Sequence, residues 1–333
     1  MVDLIDENQQ LDISVIIPVR RLDEPDLRSC LNSLRRQSIV GDVEVIAVEG
    51  GNIAQARNEG IRISKGRYVA FIDSDCVAPE NWLSIMLSEI NEVKDSGAVG
   101  GIGVSFNIKD RFSKSLDIIF RSYLGSLGSA SLYHPSKTKV VGSLSTSNSI
   151  YSKELLREVG EFDERYTLNE DTEFNARVVS KGYKLYLNPK SFVYHRRPET
   201  LSSYSKKFYR WGVSRMQAML TDNKLIDIKI ITLFLCTLIL PFILSINSIQ
   251  LLTFLSAYTV LLASHGFYYS YQKRDPLLIL YLPILYFILH FSYWLGLLRG
   301  LVNGKYHDTR SYVAFKIHSE TLSFEEILEK QLN

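Results

Sequence analysis

Charge is missing from long stretches of this chain. Residues 230–272 contain no Asp, Glu, Lys or Arg, and neither do residues 276–298. Each run exceeds the roughly 20 residues a helix needs to cross the hydrocarbon core of a bilayer. A core helix of a soluble protein seldom stays uncharged that long, so these runs are expected to enter a membrane. Cysteine is scarce as well. Cys30, Cys76 and Cys236 are odd in number, scattered and without metal-ligand spacing. That excludes a disulfide framework and points to a reducing compartment for the soluble part. Nor is there an excess of one sign: 38 basic residues face 36 acidic ones among 333, so no global field invites nucleic acid. Residues 1–10 are acidic and polar and carry no signal-peptide pattern, so the soluble part is expected on the cytoplasmic side.

What is present, over residues 1–222, alternates between two periodicities. Ser14-Val15-Ile16-Ile17-Pro18-Val19 is a β-branched run that reads as a buried strand, and Val43 to Val48 is a second. Between them, Leu27, Cys30, Leu31 and Leu34 recur at helical spacing. Residues 53–64 read as another helix, with Gly66 as its terminator. Tyr68-Val69-Ala70-Phe71-Ile72 is a third strand. Strand, helix, strand, helix, strand predicts a parallel sheet with crossover helices. Pro79 is expected to open a further helix. Residues 115–133 read either as a loose amphipathic segment or as a covered loop, the loop being favoured. Helices over 153–159, ended by Gly160, and over 171–181, ended by Gly182, precede a late strand at 184–187.

The third strand runs into Asp73-Ser74-Asp75, at the end of a strand where open α/β sheets bind ligands. Residues i and i+2 of an extended segment face the same side, so both carboxylates could meet one divalent cation with oxygen ligands, Mg²⁺ or Mn²⁺. An Asx-turn closing the strand is the plainer alternative. Glu49-Gly50-Gly51, after the second strand, is a turn where an acidic group could meet a ligand. Asn169, Glu170 and Asp171 stand before a helix, where an N-cap and acidic first turn would account for them.

Taken in order, the motifs resemble the family 2 inverting glycosyltransferases, which have the GT-A nucleotide-sugar fold. They are Ser14-Val15-Ile16-Ile17-Pro18, Ala56-Arg57-Asn58-Glu59-Gly60-Ile61, Gly66-Arg67-Tyr68 through Asp75, Gly160-Glu161-Phe162-Asp163-Glu164, and Asn169-Glu170-Asp171. The resemblance covers about residues 12–215. Tyr209-Arg210-Trp211-Gly212 and His290-Phe291-Ser292-Tyr293-Trp294-Leu295-Gly296 look most like the membrane-attached succinoglycan-synthesis type, and are similar to archaeal lipid-linked glycan transferases. The resemblance implies a role for each group. Asp75, with Asp73, would hold the divalent ion that neutralises the departing nucleoside diphosphate. Asp171 would be the general base for in-line attack by the acceptor hydroxyl, with Glu170 orienting it. Arg57 would meet a phosphate or brace the metal loop, and Pro18, Arg20 and Glu49 would line the nucleoside pocket. His195 would lie near the pyrophosphate, or be an ordinary histidine after a strand. A single displacement inverts the anomeric centre. Two departures are visible. Glu49 stands where the family has Asp, and Asn58 follows only nine positions later, without the family's longer stretch and extra strand. The nucleoside pocket is therefore abbreviated, and base specificity does not carry over. Lys207-Phe208-Tyr209-Arg210-Trp211 is similar to the Gln-x-x-Arg-Trp motif of processive synthases, with Lys in place of Gln.

The expected organisation is a GT-A domain over 1–222 with a mainly parallel central sheet, a transmembrane region over 223–304, and a tail over 305–333. Three helices are expected, at about 230–246, 249–270 and 276–298, turning at Asn247-Ser248 and with a kink at Pro283. Basic residues before the first helix, and Lys273-Arg274 between the second and third, fit the cytoplasmic side. Three crossings would put the tail, with Arg299, Lys305, Arg310 and Lys316, outside, against the charge rule. The expected function is a multi-pass membrane enzyme moving a sugar from a nucleotide-sugar donor to a lipid-linked acceptor. A polysaccharide synthase, an inactive scaffold of a glycan-assembly complex, and a plain nucleotidyltransferase are the alternatives. The last accounts for neither Glu170-Asp171 nor the apolar runs.

Overall fold

The computed structural model describes residues 11–38, 42–93, 96–106, 108–126, 135–232, 234–235, 248–307 and 315–322. Two compact units divide the chain. The first takes Met1–Val104, His134–Arg196 and Asp308–Asn333, and the second Ser105–Tyr133 and Arg197–His307.

The first unit opens with β1 (Ile13–Val19), α1 (Pro25–Leu34), β2 (Val43–Glu49), α2 (Ile53–Ile63) and β3 (Tyr68–Ile72). β1 pairs in parallel with both β2 and β3, as the alternation of strands and helices requires. Both faces of these strands are covered, which is why they are apolar at consecutive positions rather than at every second one. Val43, Val45 and Ala47 pack with Leu27, Leu31 and Leu34 of α1, whereas Ile46 and Val48 turn to Ala56 of α2. A reciprocal capping box fixes the start of α2: the Gln55 amide donates to Asn52 Oδ1 at 3.0 Å, and the Asn52 amide donates to Gln55 Oε1 at 2.9 Å. Gly66 does not end this helix. α2 stops at Ile63, and the Gly66 amide donates to Ser14 Oγ at 2.8 Å, where any Cβ would collide with the Ser14 backbone.

β4 (Cys76–Val77), α3 (Trp82–Glu92) and β5 (Ser96–Ser105) follow. α3 starts three residues after Pro79, which lies in the turn before it. α4 (Arg111–Arg121) and α5 (Tyr123–Ser126) belong to the second unit, and they replace the loop expected over 115–133, whose last residues lie outside those described. The chain returns through β6 (Lys139–Val141), β7 (Asn148–Ser152), α6 (Lys153–Val159), α7 (Glu170–Ser180) and β8 (Lys184–His195). The expected strand at 184–187 is the start of this much longer one. Late in the chain comes β9 (Lys316–Leu322). The sheet order is β4-β8-β5-β7-β3-β1-β2-β9, with β6 on β8. The α/β class is as expected, but the sheet is mixed rather than mainly parallel. β7 runs antiparallel to β3 and β5, β8 to β4 and β6, and β9 to β2. The parallel reading came from the first three strands, and the later ones need no crossover to pair.

The second unit is helical. α4 and α5 are joined by α8 (Leu201–Thr221), α9 (Ser248–Lys273) and α10 (Leu278–Asn303). Phe120, Tyr204, Phe208, Leu282, Leu285 and Leu289 form its core. Arg111 and Lys114 each reach Asp275 at 3.3 Å. α9 and α10 stand where the second and third apolar helices were expected, and α10 runs on through Pro283. Cys236 and most of the first expected helix, with Asn247, lie outside the described residues. Among the described residues one helix, α10, is long and apolar enough to cross a membrane, so the count of three is not confirmed.

Candidate active site

The site assembles at the carboxyl ends of the parallel strands. β3 delivers Asp73, and Asp75 immediately precedes β4. β4 pairs with the end of β8, Cys76 opposite His195 and Val77 opposite Tyr194, and the Arg196 amide donates to the Asp75 carbonyl at 3.1 Å. That register carries His195 to the acidic pair from 120 positions along the chain. Its Nε2 stands 3.8 Å from Asp75 Oδ1 and 4.0 Å from Asp73 Oδ2. Its Nδ1 lies 2.8 Å from the Arg196 carbonyl, which can only accept. A neutral ring therefore carries its proton on Nδ1 and turns the Nε2 lone pair toward two carboxylates, an arrangement that suits a shared cation.

Among the described residues, Asp75, Cys76 and His195 offer ligand atoms within 4.8 Å of one another. The carboxylate oxygens suit Mg²⁺ or Mn²⁺, and an imidazole donor beside them favours the transition metal, Mn²⁺, over Mg²⁺. Cys76 fits less well. Burial, helped by Asp73 and Asp75, raises its thiol pKa well above the ordinary range, so the sulfur stays protonated. Cys30, also buried and free, directs its thiol at the Asp73 carbonyl.

Arg57, one turn into α2, ties this pair to α7. It is 1% exposed, and its Nη1 donates to Glu170 Oε1 at 2.5 Å while Nη2 donates to Asp73 Oδ1 at 3.2 Å. A buried guanidinium is tolerable only with its charge matched, and Glu170 and Asp73 do so from both sides. Asn58, the next residue, clamps the segment leading to α7. It accepts from the Phe162 amide at 2.8 Å and donates to the Phe162 carbonyl and Glu164, each at 3.0 Å. The Ala-Arg-Asn motif thus divides its work, Arg57 toward the carboxylates and Asn58 toward the Gly160–Glu164 segment.

Asp171 lies in the first turn of α7. Asn169 occupies the cap position in the left-handed region, at φ 67°, and makes no side-chain capping bond, so a simple N-cap does not account for these acids. Burial pushes the Asp171 pKa up to about 7, and Glu170 adds to the rise. Arg57 and the Thr172 amide, which donates to Oδ1 at 2.7 Å, offset part of it.

Pro18, Arg20 and Glu49 lie together at the ends of β1 and β2. Pro18 is opposite Val48 and buried, Val19 is opposite Glu49, and Arg20 is exposed just beyond. Glu49 accepts from the Leu22 amide at 2.8 Å and from Lys316 Nζ at 3.2 Å, and these two contacts hold its carboxyl below the usual range. Lys316 has no signal in the sequence. It reaches Glu49 across 267 positions, because β9 pairs with β2.

Residues 41–160 match the family model described as Glycosyl transferase family 2. The chain carries a family 2 glycosyltransferase domain. Its relatives include proteins named as a glycosyltransferase and as a polysaccharide synthase. It is 24% identical over 285 residues to the dolichyl N-acetyl-alpha-D-glucosaminyl phosphate 3-beta-D-2,3-diacetamido-2,3-dideoxy-beta-D-glucuronosyltransferase of Methanococcus voltae, spanning 82% of this chain and 83% of that one. It is 24% identical over 169 residues to the poly-beta-1,6-N-acetyl-D-glucosamine synthase of Staphylococcus epidermidis, over 51% of this chain but only 40% of the synthase. Similar solved structures include S. aureus TarS 1–349 in complex with UDP, at a TM-score of 0.43 and 18% identity over 62% of this chain and 66% of that one. GalNAc-T7 with UDP, GalNAc and Mn²⁺ gives 0.41 and 15%, over 58% of this chain and 44% of that one. The family 2 domain makes this chain a transferase enzyme.

Proposed function

We propose that this family 2 transferase works at a membrane, moving one sugar with inversion from a nucleotide-sugar donor to a lipid-linked acceptor. The observation that carries the reading is the buried Arg57 bridge, which joins the Asp73 side of the acidic pair to the first turn of α7, where Asp171 stands. Leaving group and nucleophile need opposite help, one a neutralised charge and the other a base. Asp171 is the base: a pKa near the working pH makes it basic enough to take the acceptor proton while a substantial fraction is ionised. Glu170 and Arg57 position it without touching the reacting atoms. Asp75, Asp73 and His195 would hold a divalent cation. When bound, that ion supplies Lewis-acid neutralisation of the diphosphate. Pro18, Arg20 and Glu49 line the nucleoside side.

The lipid-linked acceptor is supported by similarity to the dolichyl-phosphate-sugar transferase along most of both chains, and by α10 with its apolar length. The experiment is a panel of radiolabelled nucleotide-sugars incubated with membranes containing the full chain, followed by organic extraction. Label in the lipid phase is expected, and it should vanish with Asp171→Asn while donor binding survives. Label in long water-soluble chains would favour the synthase reading, for which the similarity to the poly-N-acetylglucosamine synthase is the supporting observation. No transfer with any donor would leave the inactive scaffold.

A further inference from the structure

Two seams, one in each unit, constrain how the apolar helices can meet a bilayer. The first is β9. It pairs antiparallel with β2 over seven positions, from Glu49 opposite Lys316 to Val43 opposite Leu322. Arg35 of α1 donates to both Glu320 oxygens, at 3.1 and 2.7 Å. Phe315 packs against the cluster of Ile46, Val48 and Ala56. β9 also covers the sheet edge beside β2, where the sequence lacks the extra strand that the family resemblance led one to expect after Glu49. A sheet cannot be shared across a bilayer, so the tail and the sheet lie on the same side of any membrane. The chain leaves the sheet after β8 and returns at β9, and an odd number of crossings between them is impossible.

The second seam is between α8 and α10. They run parallel: Tyr204 Oη donates to the Leu285 carbonyl at 3.1 Å, Ser205 meets Ser292 at 2.9 Å, and Ser214 meets Tyr306 at 2.6 Å. Gly212 and Gly296 touch backbone to backbone, each lacking the Cβ that would strike the other helix. Along this contact α8 carries Lys206 and Arg210, both exposed. Hydrocarbon around the second half of α10 would surround these cations too, which is costly. At an interface they would instead meet lipid headgroups, while the exposed apolar side chains of α9 and α10, such as Leu252, Phe267, Leu280 and Ile284, enter the acyl region.

We propose that α10 does not cross the bilayer, so that both its ends lie on the sheet's side, and that the stretch between β8 and β9 crosses an even number of times. This rests on the membrane reading above. The test uses the full chain with Cys236→Ser and a single added cysteine, Lys273→Cys or Asn303→Cys, at either end of α10. Sealed inside-out and right-side-out vesicles are treated with a membrane-impermeant maleimide, after a carbonate wash of a parallel sample. Both cysteines labelled in inside-out vesicles, and neither in right-side-out ones, is the expected result. Labelling of the two from opposite sides makes α10 a span and overturns the proposal. Release of the protein by carbonate overturns it differently, because the membrane reading itself has then failed.

Discussion

Arg57 is the residue on which the candidate site turns, because it satisfies two carboxylates that belong to different parts of the chain. Removing one partner of a buried ion pair leaves uncompensated charge, at a cost of about 3–5 kcal/mol. Arg57→Ala should therefore lower stability by that order, since Glu170 is left buried and unmatched; thermal unfolding of the detergent-purified protein reads it. An unchanged melting temperature would remove the bridge as a structural element. Asp171 makes a prediction of opposite sign. Its folded pKa lies above the unfolded carboxylate value, so between about pH 4 and 7 the folded state holds more protons than the unfolded one. The stability it contributes is present at low pH and lost as pH rises through 7. Asp171→Asn should then stabilise the protein at pH 8 and have little effect at pH 4, while transfer falls by roughly 10²–10⁴-fold. In the wild type, kcat/KM should rise with pH and level off above about 7. A flat profile between pH 5 and 8 would exclude Asp171 as the titrating base. Chelation should abolish transfer, and added Mn²⁺ should restore it; activity that survives exhaustive chelation would dismiss the cation from Asp75 and His195.

At the scale of elements, much was legible and the failures have identifiable causes. β1, β2 and β3 announce themselves because burial on both faces demands continuous apolar runs, whereas the capping box of Asn52 and Gln55 that starts α2 is seen only in the structure. Asp73 and Asp75 were legible for the same reason: they follow a strand whose end is unambiguous. β4 was not legible. Two residues carry no periodicity, and Cys76-Val77 is a strand only because Tyr194 and His195 lie beside it. That pairing is also what gives His195 a place at the site, so a lone histidine after a strand could not be assigned from sequence. Gly66 was misread as a helix stop because a stop and a close approach both select glycine. The distinction is testable. Gly66→Ala would drive a methyl into the Ser14 backbone, and overpacking of this kind costs about 1–3 kcal/mol. A glycine serving only to end α2 would lose far less.

For the whole molecule, the decisive contacts are those of greatest sequence separation, and these are what a reading along the chain cannot see. Local pattern marks the first three strands, α9 and α10, but nothing near Lys316 marks Glu49 as its partner, and nothing in β2 says that a strand will return to its edge. Closing so long a loop costs conformational entropy that grows only slowly with length, so a seven-residue ladder, the Arg35–Glu320 pair and Phe315 suffice to hold it. The dependence runs the other way too. Truncation after His307 would strip the edge of β2, leaving a row of unpaired backbone groups open to pairing with another copy. It would also leave Arg35 without Glu320 and Glu49 without Lys316. Such a chain should melt at lower temperature and aggregate, with light scattering rising before near-ultraviolet circular dichroism is lost. A double substitution, Lys316→Ala with Glu320→Ala, keeps the ladder and removes the charges. It should stay monodisperse and lose little stability, because ion pairs near the protein surface contribute about 0–1 kcal/mol each. If the double variant aggregates like the truncation, side-chain charge and not edge coverage is what the returning strand provides.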